Sequence, residues 1–375
     1  MSFDIIIIGA GISGAGAGYA LAGGRRILLL EGEPQPGYHS TGRSAAVYEP
    51  NLGNAVVRAF NIASAAFLKS PPPGLTGGPL MTPRGELTVC DAENRPALDT
   101  LLALDGAGGN SVREIPVDEA TAMIPVLRRE DMRWAAYEPG VMDMDVHAIH
   151  RGFLKGFAAR GGRLLCDAPV RRVERRAGLW HVEAGSESLA ATVVINAAGA
   201  WADSVAALAG IAPLGLQPKR RTAIILPPPE GFDVRPWPVL GVAGEEAYLN
   251  SQSGKLLASP GDATPVEPQD VQPEEMDVAI LVDWIERRTT ITVRRIERRW
   301  AGLRTFARDK APVAGEDPTA PGFWWLAGQG GYGIMMSDSL GRSLARLMTA
   351  GELPADVRAL GVTPEAIGPQ RLRSA

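Results

Sequence analysis

Three glycines, Gly9, Gly11 and Gly14, stand in the pattern G-x-G-x-x-G, and an acidic residue, Glu31, follows seventeen positions after the last of them. Such a set binds a pyrophosphate and a ribose. Gly9 permits a tight turn, Gly11 lets backbone approach a phosphate, Gly14 lets a helix pack closely, and the helix start offers N–H groups with partial positive charge. Glu31 is placed to accept hydrogen bonds from ribose hydroxyls. A second glycine cluster, GQGGYG at 328–333, lies near the other end of the chain.

The pattern has meaning only between a strand and a helix, and the flanking residues supply both. IIII at 5–8 reads as a strand buried on both faces, 12–22 as a helix of small residues, and 27–30 as a second apolar strand ending at Glu31. This is a βαβ unit. The second cluster follows a buried strand at 323–327 and is expected to open a helix over 335–349. Glycine turns at both chain ends favour FAD over a nicotinamide dinucleotide, because a flavin is long and must be held at both ends.

Between these turns the spacing predicts a loop at 34–53, a helix at 54–68, a strand at 85–89, and polar-faced helices outside the core over 91–124. A helix at 145–160, strands at 163–166, 169–174, 179–183 and 193–196, and a helix at 201–208 return the chain to an α/β layer. Strand-like segments at 222–226, 247–249, 256–259 and 290–294 surround one helix at 273–286, a pattern of a largely antiparallel sheet. The expected fold class is α/β, a Rossmann-like FAD-binding domain (1–84, 145–212, 304–375) interleaved with an α+β substrate domain (85–144, 213–303).

The 375 residues suffice for about two or three domains. Thirty-eight Lys and Arg against 42 Asp and Glu give a net charge of -4, which argues against a nucleic-acid partner. No run approaches the ~18 to 20 apolar residues of a membrane span, and no signal-peptide pattern precedes the first strand. Two cysteines, Cys90 and Cys166, form neither a C-x-x-C pair nor a metal set, so a reducing cytoplasm is expected and no metal site.

With HSTGRSAA (39–46), NAAGAWAD (196–203) and GQGGYG in view, the chain resembles the D-amino acid oxidase superfamily of FAD enzymes from end to end. It is most similar to the FAD-dependent D-arginine dehydrogenases, where QPGYHSTGRSAA, PVLRR, LGLQPKRR, DVQPE, WAGLR and QGGYGI recur in this order. The resemblance implies that Thr41, Gly42, Arg43, Ser44, Ala45 and Ala46 wrap a non-covalently held flavin. Ser13, Glu31 with Gly32, Val170, Gly199, Gly330, Gly331, Tyr332, Gly333, Ile334 and Met335 match further flavin-binding positions.

The same resemblance implies that Arg304, placed just after a strand, pairs with a substrate carboxylate, and a guanidinium fork suits bidentate recognition. Arg221 and Tyr248 match carboxylate and substrate contacts. Glu86 matches the acid that meets a cationic substrate side chain. The chain departs from the family at three positions: Val47 replaces a histidine near the amine, and Leu52 and Glu49 replace an aromatic hydroxyl and a threonine on the lid. The implied reaction is oxidation of basic and large apolar D-amino acids to 2-oxo acids and ammonia, by hydride transfer from Cα to flavin N5. The electron acceptor, quinone or oxygen, is left open. A sarcosine-like secondary-amine oxidase, a 2-hydroxy acid dehydrogenase and a non-enzymatic flavoprotein subunit are the alternatives.

Overall fold

The computed structural model describes residues 2–104, 111–130 and 132–373. Ser2–Ile8 pairs in parallel with Ile27–Leu30 on one side and Glu187–Asn196 on the other. Arg163–Leu165 and Phe323–Ala327 extend this parallel core, and Leu179–Ala184, Val170–Arg176 and Val313–Glu316 add antiparallel edges, giving eight strands. Ile6 and Ile7 are fully buried, as an apolar run covered on both faces requires. Helices Ile12–Leu21, Val146–Ala159 and Ser337–Ala350 pack together on one side.

A second sheet has nine strands, in the order Gln329–Gly330, Arg298–Phe306, Gln217–Leu226, Lys255–Ser259, Tyr248–Gln252, Val239–Val242, Glu86–Cys90, Trp134–Glu138 and Arg113–Ile115. All pairs whose register is resolved are antiparallel except Val239–Val242 with Glu86–Cys90. Leu87, Val89, Leu240, Val242, Leu249 and Ile224 share a core with Leu281, Trp284 and Ile285 of helix Glu275–Arg288. Because side chains alternate along a strand, Glu86, Tyr248 and Arg221 stand on the opposite face. A small sheet of Val47–Tyr48, Met142–Met144 and Met81–Pro83 lies off these two.

Several local expectations need correction. The stretch 91–124, read as helices outside the core, buries Leu98, Ala120 and Ile124 completely, because Arg95–Leu102 and Val117–Met123 each turn a short apolar stripe inward. Residues 105–110 of that stretch lie outside the described residues. No strand forms at 290–294. The strand is Arg298–Phe306, so Arg304 lies within it, with Ala301 and Leu303 facing a core. The 328–333 turn does not open a helix directly: Gln329 and Gly330 pair with Phe306 and Thr305, and the helix begins only at Ser337.

Candidate active site

The first strand enters its turn at Gly9, whose φ of +102° a side chain would strain. A Cβ there would lie 2.5 Å from the Ala197 carbonyl oxygen, and one at Gly14 would overlap the Gly9 carbonyl. The turn is stitched to its surroundings. The Ala10 N–H donates to Glu31 Oε2 at 3.0 Å, Glu33 N–H donates to Glu31 Oε1 at 3.1 Å, and Ile12 N–H donates to Thr41 Oγ1 at 2.9 Å. Burial holds the Glu31 carboxyl above its ordinary range despite these backbone donors. His150 places Nε2 2.8 Å from the Ala10 carbonyl.

One cavity of about 620 Å³ touches both glycine turns and the nine-stranded sheet. Of the residues expected to hold a cofactor, Gly9, Gly11, Ser13, Glu31, Gly32, Thr41, Arg43, Ser44, Ala45, Val170, Gly199, Gly330, Gly331, Gly333 and Ile334 line it. Gly14, Gly42, Ala46, Tyr332 and Met335 do not. Gly14 backs the turn, while Met335 is buried and its Sδ receives the Glu49 N–H at 3.2 Å. The cavity also takes in residues the sequence reading passed over: Gln329, Trp201 and Asp270, the last bound to Arg43 at 2.5 Å. Gln329 stands inside the GQGGYG motif, between Gly328 and Gly330.

Arg221, Tyr248 and Arg304 line the same cavity from three strands of the second sheet. Gly331 leaves room for Arg304, since a Cβ there would sit 2.9 Å from Nη1. Burial and the charge of Arg304 pull Arg221 down to about 10, and its buried Nε has no partner. Its neighbour Arg220, by contrast, is paired with Asp277 at 2.9 Å. Among the described residues neither the Arg221 nor the Arg304 guanidinium has a hydrogen-bond or ion-pair partner. Burial raises the Tyr248 hydroxyl, against the pull of both arginines.

The carboxylates gather beside this group. Glu86 stands directly across from Glu138 in the antiparallel pair of their strands. Burial, then the charges of Glu49 and Glu138, push the Glu86 carboxyl well up. Glu49, just past Val47–Tyr48, is pushed to about 7 by burial and Glu138, with Arg304 acting the other way. Among the described residues no cation is paired with Glu49 or Glu86. Neither lines the 620 Å³ cavity, nor do Val47 and Leu52; Val47 is half-buried opposite Asp143 and Leu52 is exposed. Sequence reading missed Glu138, whose strand WAAYE has no clear period; its Oε1 accepts from Asn51 Nδ2 at 3.1 Å.

Between them the glycine turns, a carboxylate at the second strand's end and a cavity within the usual size of a small-molecule site form a cradle that fits a dinucleotide. Among the described residues no helix is long and apolar enough to cross a membrane. The chain is similar to human mitochondrial sarcosine dehydrogenase, at 25% identity over 71% of this chain and 31% of that one, so it spans under a third of that relative. Its fold superposes on L-proline dehydrogenase from P. horikoshii with a TM-score of 0.84, at 21% identity, covering 99% of this chain and 97% of that one. It superposes on FAD-bound L-alpha-glycerophosphate oxidase from Mycoplasma pneumoniae with a TM-score of 0.82, at 15% identity, covering 93% and 95%. The model of the DAO family, FAD dependent oxidoreductase, matches residues 4–347, and the chain belongs to that family.

Proposed function

We propose that this chain oxidises α-amino acids to imino acids, which water hydrolyses to 2-oxo acids and ammonia. The observation that carries the reading is the charge layout of the second sheet and of the 49–53 loop beside it. Among the described residues two guanidiniums without partners, Arg221 and Arg304, line the cavity, and two carboxylates without cations, Glu49 and Glu86, stand outside its lining and feel each other's charge, Glu49 also that of Arg304. Unpaired enclosed charges are costly, and a ligand that carries both signs relieves both sets at once. FAD, when bound, accepts the hydrogen and electron pair that leave Cα.

The protein's own part is to bind and orient. Arg304 and Arg221 hold the α-carboxylate, Tyr248 bounds the space above it, and Glu86 meets a cationic side chain. This supports basic substrates; Val47, two residues before Glu49, is apolar and supports large apolar ones. The D configuration, and a likeness to D-arginine dehydrogenases, rest on the ordered motifs from QPGYHSTGRSAA to QGGYGI. A secondary-amine acid is the second reading, favoured by the similarity to a sarcosine dehydrogenase. It would satisfy the arginines and leave Glu86 unmatched.

Anaerobic titration of the purified holoprotein with amino acids of both hands, sarcosine and 2-hydroxy acids tests this directly. Bleaching of the flavin band by D-amino acids, with D-arginine and D-leucine both effective, is expected. Bleaching by sarcosine or a hydroxy acid alone would overturn the reading.

A further inference from the structure

For a hydrogen to leave Cα with its electron pair, the adjacent nitrogen must offer a lone pair, so the α-ammonium of a zwitterionic substrate has to lose a proton within the site. Val47 has no proton to exchange. One carboxylate, however, is brought towards Arg304 by the 328–336 turn. Arg304 lies against Gly331 on that turn. The Tyr332 ring comes within 3.5 Å of where a Gly53 Cβ would stand, and Met335 Sδ holds the Glu49 N–H. The turn thus has Arg304 packed on it and the 49–53 loop fastened to it.

Glu49 and Arg304 attract each other, yet no ion pair within 4 Å joins them. The carboxylate and ammonium of an α-amino acid sit on one carbon. A substrate whose carboxylate grips Arg304 therefore carries its ammonium beside that arginine, at the turn to which the Glu49 N–H is also fastened. We propose that Glu49 accepts the proton of the substrate α-ammonium, an inference that rests on the amino acid reading above.

In this step an N–H bond breaks, its electron pair stays on nitrogen as the lone pair, and the proton passes to a Glu49 carboxylate oxygen. Nothing is oxidised or reduced. The surroundings of Glu49 suit the task. Glu138, Glu86 and Glu246 disfavour its ionised form, Arg304 favours it, and the hydroxyls of Tyr248 and Tyr332 feel the same charges. A carboxyl held near neutrality takes up and returns a proton at little cost. Glu86, further from the arginines' influence, is left for the side chain.

The test uses the holoprotein and two readouts. In kcat/KM against pH for the best amino acid, the wild type is expected to lose activity below about 7, where Glu49 is protonated. Glu49→Gln should lose at least tenfold at pH 7, and its acid limb should move up to the ammonium's own pKa; Glu49→Asp should restore part of both. The second readout is calorimetric binding, in two buffers of different ionisation heat at pH 6.5, of an unreactive analogue with a methyl group in place of the Cα hydrogen. The wild type should release about half a proton or more per molecule bound, since the ammonium favours ionised Glu49. It should release none with the same acid lacking the amine, and Glu49→Gln should release none with either. Equal release with both analogues, or none from the wild type, overturns the proposal, whether or not Glu49→Gln folds. An unmoved limb in Glu49→Gln whose flavin is still bleached overturns it and leaves the amino acid reading standing. A wild-type flavin bleached by no amino acid overturns both.

Discussion

Ser13 Oγ donates a hydrogen bond of 2.5 Å to Gln329 Oε1 across 316 residues of sequence. Ser13 belongs to the first helix start and Gln329 to the C-terminal turn, and both line the cavity. The bond therefore fixes the spacing of two glycine turns that come from opposite ends of the chain.

Gln329→Ala should weaken FAD binding without unfolding the protein. A part-buried hydrogen bond contributes about 0.5–1.5 kcal/mol, so the dissociation constant should rise by about two- to tenfold. Fluorescence of flavin released on dilution measures it. An unchanged constant would show that the turns keep their spacing without this bond.

FAD should be held without a covalent bond. Among the described residues neither cysteine lines the cavity, and the one histidine that does, His39, has its Nε2 2.9 Å from Glu33 and its ring against Trp201. Acid precipitation should send the yellow colour into the supernatant. Colour kept in the pellet, and lost from it in His39→Ala, would identify His39 as an attachment point.

The parts of this site legible in the chain are those with local signatures. Gly9, Gly14 and Glu31 could be read because a tight turn, a close helix and a strand end each demand a residue type at a fixed spacing. Asn54 could be read as the start of its helix, where it caps the Val57 N–H. Illegible were contacts made only by sheet pairing. Glu86 and Glu138 are 52 positions apart, and WAAYE, with two alanines, shows no alternation that would announce a strand. The strand that holds Arg304 is hard to see because RRIERRW looks like a solvated charge run and only Ala301 and Leu303 of the strand reach a core. A motif also hides its polar member among its glycines, as with Gln329.

Arg304→Ala should damage catalysis far more than flavin content. A substrate carboxylate left facing Arg221 alone loses its charge-assisted pair, at a cost of at least ~3 kcal/mol, or more than a hundredfold in kcat/KM. Near-normal kinetics in this variant would remove Arg304 from the site.

Glu86→Gln should separate substrates by side chain. A hydrogen bond to a charged group contributes about 1.5–3 kcal/mol, so kcat/KM for D-arginine and D-lysine should fall by about ten- to a hundredfold, with D-leucine and D-phenylalanine little changed. An equal loss for charged and apolar substrates would mean that Glu86 does not read the side chain.

The half-buried carboxylates also set how stability responds to pH. Glu49 and Glu86 both have folded-state pKa values raised above the ordinary 4.5, Glu49 to about 7, with burial as the largest cause. A raised carboxyl holds its proton more tightly in the folded chain than in the unfolded one. Its favourable contribution is thus complete below about 4.5 and is lost as pH rises through the folded value. Substrate-free wild type should therefore become less stable between pH 5 and pH 8. Glu49→Gln and Glu86→Gln, which cannot ionise, should have a higher Tm than wild type at pH 8, and this advantage should shrink towards pH 5. Each kcal/mol regained shifts Tm by roughly 2–4 °C in domains of ordinary size, so a difference of a few degrees is measurable by calorimetry. The same Tm difference at both pH values would mean that the glutamine substitutions act through packing and that these carboxylates ionise freely in the folded protein.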